Sequence, residues 1–190
     1  MKVIRAMELD YGFMIDTFYK VWGGIGVTLG LTAVSLIIAL PIAFYMAVIR
    51  IRGHKIGTGI TRFYISFVRG TPLVLQILLM YSLLPSFINF VLKSMGSSFN
   101  VFDNVNPFWY AVIVFSLNTI ALLAEVFRSA LMSIEKGQLE AGVSIGLTEW
   151  QTYRHVIIPQ AMVVALPAVC NITVNLITGT SLAFIMTVKD

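Results

Sequence analysis

The chain has 190 residues, of which 58% are hydrophobic and only 12% are charged, and its net charge is +4. Soluble domains carry about 25% charged residues, so this composition excludes an ordinary soluble domain and indicates one domain surrounded by lipid. The single cysteine, Cys170, excludes a disulfide framework within the chain.

Four long runs without Asp, Glu, Lys or Arg predict four membrane-spanning helices. They lie between Lys20 and Arg50, Arg69 and Lys93, Asp103 and Glu125, and Arg154 and Lys189. A helix needs about 20 apolar residues to cross the hydrocarbon core, and a spanning helix pairs its own backbone groups. Strands of a membrane barrel are shorter and alternate between polar and apolar residues. We therefore predict an all-α, polytopic membrane bundle, with a single transmembrane domain over residues 1–190.

The Lys and Arg residues are distributed unevenly between the two ends of these spans. The connections after the first and third spans carry Arg50, Arg52, Lys55, Arg62, Arg69, Arg128, Lys136 and Arg154. The opposite side carries Lys2, Arg5, Lys20, Lys93 and Lys189. Since cytoplasmic loops are enriched in Lys and Arg, we expect the first group to face the cytoplasm and the N-terminus to lie outside.

The connection after the first span predicts a short amphipathic helix on the membrane surface. Apolar residues recur at helical spacing over residues 58–68. Gly70 is expected to end this helix, Thr71 to cap the next one, and Pro72 to occupy its first position. Pro41 predicts a bend in the first span. Residues 93–107 form a polar connection that predicts a loop.

The connection after the third span, residues 133–159, is a polar segment in an otherwise apolar chain. Its sequence predicts a helix up to Ile145 and a left-handed turn at Gly146. Thr148 and Gln151 match a capping box, which predicts a second short helix that ends or kinks at Pro159. From spacing alone, this helix pair is either a docking surface for a partner or a solvated surface.

Several polar residues lie within the predicted spans or at their edges. They serve either as hydrogen-bonding groups between helices or as parts of a substrate pathway. The candidates are Gln76, Asn118, Thr119, Glu125, Asn171, Asn175 and Thr178. We expect the carboxylate of Glu125 to pair with Arg128 or with a cytoplasmic helix.

The 133–159 segment resembles the cytoplasmic loop of permease subunits of bacterial ATP-binding-cassette importers, which has the pattern E-A-A-x3-G-x9-I-x-L-P. The matching positions are Glu140, Ala141, Gly142, Gly146, Val156, Ile158 and Pro159. Gly142, Val156 and Ile158 depart from the pattern, and Gly142 lowers helix propensity by about 1 kcal/mol relative to alanine. The stretches "FVRGTPLVLQ", "AEVFRSALMSIEKGQLEAG" and "TGTSLAF" are similar to the branch that takes up polar amino acids, including cystine.

The resemblance implies the type I ABC importer transmembrane fold and a multi-pass location in the bacterial cytoplasmic membrane. It implies that two permease subunits pair, identical or not, and that an extracytoplasmic binding protein delivers the amino acid. Each coupling loop then docks into a separate ATPase subunit, which holds ATP-Mg. Glu140 and Gly146 would lie at that contact, with Ala141 and Leu147 packed against the ATPase. Members of this family usually have five spans, so the fifth is expected to be missing here.

Two other functional classes fit the sequence less well. An ion-coupled secondary carrier or channel usually needs ionisable groups at membrane depth, and the spans offer only Glu125 at an edge. A membrane enzyme would need metal-ligand spacing or a nucleophile–base pair, and neither is present. We therefore predict no catalytic residue, no metal site and no cofactor on this chain. The sequence has no phosphate-binding loop, so ATP hydrolysis is assigned to another chain.

Overall fold

The computed structural model describes residues 11–96 and 101–186, and every regular element within them is helical. The elements are α1 (Tyr11–Arg52), α2 (Lys55–Gly70), α3 (Leu73–Ser94), α4 (Val101–Asn104), α5 (Pro107–Met132), α6 (Lys136–Ser144), α7 (Glu149–Thr152), a π-helical turn (Tyr153–Ile157), α8 (Ile158–Gly179) and a 3-10 helix (Thr180–Met186). Three of the basic residues used above to orient the chain, Lys2, Arg5 and Lys189, lie outside the described residues.

The prediction of an all-α membrane bundle is confirmed by four helices that are long and apolar enough to cross a bilayer. They are α1, α3, α5 and the continuous helical stretch over Glu149–Ala183. The first of them has 42 residues, which at 1.5 Å per residue is about 63 Å, twice the thickness of the hydrocarbon core. Helix α1 therefore extends beyond the membrane and begins well before Lys20.

Helix α5 is the central element of the fold. It packs along α1, and the α1 face towards the core carries small residues at four-residue spacing: Ser35, Ala39, Ala43 and Ala47, all with no solvent exposure. On α5, Ala121 and Ala124 are equally buried. Small residues let helix backbones approach closely. Because lipid is as apolar as the side chains, this close van der Waals packing holds membrane helices together in place of a hydrophobic driving force.

The outer helices leave large apolar side chains uncovered. Leu83, Phe87 and Phe90 on α3 and Val163 on α8 are 60–73% exposed. In a soluble monomer such a surface marks a contact site. On membrane-spanning helices it is the surface that lipid or another membrane subunit covers.

Helix α2 confirms the predicted amphipathic helix, but the turn that follows differs from the expectation. Thr71 ends α2 rather than capping α3, because its hydroxyl donates to the carbonyl of Phe67 at 3.0 Å. Pro72 is the N-cap of α3, one position earlier than expected. The side-chain amide of Gln76, on α3, donates to the carbonyls of Val68 at 2.8 Å and Thr71 at 3.0 Å. These two hydrogen bonds fix the turn between α2 and α3.

Helix α2 is also fixed to the central helix. The Tyr64 hydroxyl donates to the carbonyl of Leu117 on α5 at 2.6 Å. Burial raises the pKa of Tyr64 to about 12, since the phenolate would lose its hydration there.

The connection between α3 and α5 is not a plain loop. It contains the four-residue helix α4, and the Asn89 side chain accepts a hydrogen bond from the backbone of Val101 at 2.7 Å. Residues 97–100 of this predicted loop lie outside the described residues.

Candidate functional site

The polar connection between α5 and the last span, residues 133–159, is called the connecting segment below. Its first helix, α6, ends in the predicted left-handed turn, with φ +88° at Gly146. The backbone N–H of Leu147 donates to the carbonyl of Gly142 at 3.1 Å, and that of Gly146 donates to Val143 at 3.0 Å. These bonds satisfy the carbonyls at the end of α6, so the turn is specified by the glycine.

The predicted capping box is present at the start of α7. The Gln151 backbone N–H donates to the Thr148 hydroxyl, and the Gln151 side chain accepts from the Thr148 backbone N–H at 2.8 Å. Two donors at the helix start are thereby satisfied reciprocally.

Of the two outcomes predicted at Pro159, an end of the second short helix or a kink into the last span, the end does not occur. After Thr152 the chain continues through a π-helical turn, in which Ile158 N–H donates to the carbonyl of Tyr153, and then directly into α8. Pro159 lacks an N–H, and its ring crowds the carbonyl four residues earlier; a π turn widens the helix and accommodates both. The connecting segment is therefore joined to the last span without a flexible link.

The departure at Gly142 has a structural cause that sequence reasoning missed. Gly142 is buried, and a Cβ atom there would lie 2.5 Å from Thr152 Oγ1 and 3.0 Å from Thr152 Cβ. Thr152 is itself fully buried. The glycine thus allows α6 and α7 to pack at a distance that alanine would not permit. The sequence gives no periodic signal for this pair, because the two residues face each other across the turn.

The outer surface of the connecting segment carries apolar side chains. Ile145, Val143 and Trp150 are 79%, 47% and 57% exposed. Glu140 and Ala141 are also exposed, whereas Leu147 is half-buried. An apolar surface beside a carboxylate on a fixed helix pair is suited to a protein groove. Sequence reasoning named the family positions but missed Val143, Ile145 and Trp150.

Glu125 is held by two arginines. Arg50, at the end of α1, bonds to Glu125 Oε2, and Arg128 Nη2 lies 2.5 Å from Oε1. The expected pairing with Arg128 is confirmed, while the partner from α1 is separated by 75 residues and was not foreseen. Since both carboxylate oxygens are engaged, the geometry describes an ion-pair link between α1 and α5.

Three pathway candidates lie in the packed part of the bundle. The Asn118 side chain donates to Gln76 Oε1 at 3.2 Å, and Gln76 in turn holds the turn after α2. Thr119 is only 2% exposed. For these residues, the contacts favour hydrogen bonding between elements over contact with a substrate.

The other three candidates form a stripe on the exposed face of α8. Asn171, Asn175 and Thr178 are all exposed on this chain, and the Thr178 hydroxyl donates back to the carbonyl of Val174 at 3.2 Å. Within the described chain, neither asparagine amide has a hydrogen-bond partner. An amide facing lipid costs several kcal/mol, of the order of 4–8 for transfer to a hydrocarbon, so this face must meet something polar.

No three His, Cys, Asp or Glu side chains cluster in a way suited to a metal within residues 11–96 and 101–186. What the bundle provides is a connecting segment joined rigidly to the last span and a polar face on α8. Comparison with known families agrees: residues 39–188 match the family described as "Binding-protein-dependent transport system inner membrane component". The chain belongs to this family.

Relatives support the same assignment over nearly the whole chain. It is 34% identical to a probable amino-acid ABC transporter permease protein of Bacillus subtilis, YckA, over 99% of this chain and 79% of the relative. It is 38% identical to the L-cystine transport system permease protein TcyB of Bacillus subtilis, over 85% of this chain and 63% of that protein. A crystal structure of an amino acid ABC transporter with histidines aligns with a TM-score of 0.77 at 28% identity, over 97% of this chain and 79% of that one.

The chain is therefore a multi-pass permease subunit of an ABC importer in the inner membrane, with the transmembrane fold of such importers. It is not an enzyme, because ATP hydrolysis in this family belongs to a separate subunit. The secondary-carrier and channel alternatives are not favoured.

Proposed function

We propose that this chain moves polar amino acids, with cystine as a candidate, into the cell, and that the connecting segment transmits the movement of a partner ATPase. The names of the relatives supply the substrate class: amino acids in one case and L-cystine in another. The observation that carries the coupling role is the rigid path from the exposed α6–α7 pair into α8.

The coupling contact is formed by the outer surface of the connecting segment. Glu140, Ala141 and Gly146 lie at its exposed end, and Leu147 packs below them. The apolar side chains of Val143 and Ile145 insert into a cleft of the ATPase, which holds ATP-Mg. Gly142 and Pro159 act indirectly. Gly142 lets α6 and α7 pack against each other, and Pro159 lies where the connecting segment continues into α8.

The polar stripe of α8 is the part of the pathway that this movement acts on. Asn171, Asn175 and Thr178 are suited to the ammonium and carboxylate of an amino acid, because amides and hydroxyls both donate and accept hydrogen bonds. A second permease subunit, identical or not, covers the stripe and completes the pathway. The substrate arrives from an extracytoplasmic binding protein, on the side where the N-terminus lies.

Reconstitution tests this function. The permease, its ATPase and its binding protein are placed in liposomes, and ATP hydrolysis and uptake are measured for each polar amino acid. We expect both to rise together for the transported substrates. Uptake driven by an ion gradient without ATP would overturn the proposal and favour a secondary carrier.

A proline pair tests the coupling contact. Gly146→Pro is incompatible with φ +88° at that position, so uptake should be lost while basal ATP hydrolysis persists. Lys136→Pro is the matched control, because it places proline at the first position of α6, after an extended Glu135. Full transport by Gly146→Pro would show that the segment does not couple the two subunits.

A further inference from the structure

A groove of about 770 Å³ lies between the end of α1 and the start of α7. Of the three exposed apolar residues on the outer surface of the connecting segment, Trp150 also lines this groove, whereas Val143 and Ile145 do not. Its apolar wall includes Phe44 and Val48, which lie two turns and one turn before the end of α1, and Leu131, at the end of α5. The end of α1 carries Arg50 and Arg52 directly after the uncharged run of the first span. We therefore place the groove where the hydrocarbon core gives way to the headgroup layer.

Two aromatic side chains in the groove are of the kind found at the membrane–water interface. Tyr45 and Trp150 line the groove and are 67% and 57% exposed. Tyrosine and tryptophan are enriched at the membrane–water interface, where the ring meets hydrocarbon and its polar atom meets headgroups. The groove therefore faces lipid headgroups at one end and acyl chains at the other.

Two opposite charges, Arg52 and Glu149, line the groove, and neither side chain forms an ion pair within the described parts of the chain. A guanidinium binds phosphate with two parallel hydrogen bonds, and a carboxylate accepts hydrogen bonds from an ammonium group. The indole of Trp150 adds a surface that attracts cations.

We propose that this groove binds a phospholipid with a primary-amine headgroup, of the phosphatidylethanolamine class. Its phosphate lies at Arg52, its ammonium at Glu149, and an acyl chain runs along Phe44 and Val48. Choline has no N–H to donate to the carboxylate, and glycerol has no cation, so the paired charges select the ethanolamine headgroup. This inference depends on the membrane location of the chain and not on the coupling role of the segment.

Native mass spectrometry of the detergent-solubilised full chain tests the selectivity. Phosphatidylethanolamine, phosphatidylcholine and phosphatidylglycerol with identical acyl chains are titrated separately. We expect the first to bind about tenfold more tightly than the other two, equivalent to about 1.4 kcal/mol. Equal binding of the three lipids would overturn the proposal, since the groove would then hold bulk lipid.

Charge-removing variants assign the two contacts. Glu149→Gln should abolish the preference for the ethanolamine lipid over the choline lipid while leaving phosphate binding intact. Arg52→Gln should weaken all three lipids. The controls Glu135→Gln and Arg62→Gln remove the same charges outside the groove and should leave the selectivity unchanged. If either control variant matches its groove counterpart, the site is elsewhere and the proposal fails.

Fluorescence locates the lipid independently. With Trp22 and Trp109 replaced by Phe, Trp150 is the sole tryptophan, and brominated phosphatidylethanolamine should quench it more strongly than brominated phosphatidylcholine at equal amounts. Quenching without headgroup preference would refute the site. Release of the quencher on adding the ATPase would assign the groove to that subunit and also overturn the proposal.

Discussion

Gly142→Ala should destabilise the connecting segment, although alanine is the family residue and the better helix former. The substitution gains about 1 kcal/mol of helix propensity. It also places a Cβ 2.5 Å from Thr152 Oγ1, on a side chain that is fully buried. Overpacking of this kind costs about 1–3 kcal/mol, and we expect a net cost of about 1 kcal/mol.

Hydrogen exchange is the assay that reports this locally. The Leu147 amide donates to the carbonyl of Gly142, so its exchange should accelerate by about fivefold to tenfold. Gly137→Ala is the matched control on the same helix, because a Cβ there meets nothing within 4 Å. It should leave exchange unchanged or slow it.

A double-mutant cycle decides whether Thr152 is the cause. Thr152→Ala removes Oγ1 and Cγ2 and loses the hydrogen bond from Oγ1 to the Thr148 carbonyl at 3.1 Å. In that background Gly142→Ala should become neutral or stabilising, with a coupling energy of about 1–2 kcal/mol. If Gly142→Ala costs the same in both backgrounds, the contact with Thr152 does not explain the glycine.

Four further predictions test other parts of the molecule. Glu125→Gln should lower the unfolding free energy by about 1–3 kcal/mol, seen as a lower unfolding temperature, while Glu135→Gln at an exposed site should not; equal shifts would contradict the ion-pair link. Gly146→Ala should cost about 1–2 kcal/mol because alanine is strained in the left-handed region, and Gly146→Asn should cost less. The transport-coupled ATPase rate should therefore fall further for Gly146→Ala than for Gly146→Asn, and equal rates would argue against backbone strain at this turn. The pKa of Tyr64 is about 12 in the folded protein against 10.0 for an unperturbed tyrosine, so the free energy of unfolding should fall as pH rises between these values. Tyr64→Phe should remove this pH dependence, and an unchanged pH dependence would assign it to another group. Asn175→Leu should keep the protein folded but reduce amino-acid uptake at least tenfold, and unchanged uptake would remove the α8 stripe from the pathway.

Elements set by local chemistry could be predicted from the sequence. The uncharged runs gave the spans, and the glycine turn and capping box of the connecting segment were specified by single residues within one turn of each other. Contacts across the fold could not be predicted in this way. The pairing of Arg50 with Glu125 and the fit of Gly142 against Thr152 depend on how helices approach, which no periodicity encodes. The sequence left open whether the helix ends or continues at Pro159, because a proline allows both; the π turn before it, which keeps the helix continuous, could not be predicted.

The link between Arg50 and Glu125 also bears on how the chain is made. Its two partners are 75 residues apart in sequence, which at 5–20 residues per second is about 4–15 s of synthesis. During that time the first helix enters the bilayer with Arg50 unpaired, and only headgroups at the membrane edge can stabilise its charge. The carboxylate arrives with the third spanning helix, so assembly of the α1–α5 pair has to wait for translation to reach that point.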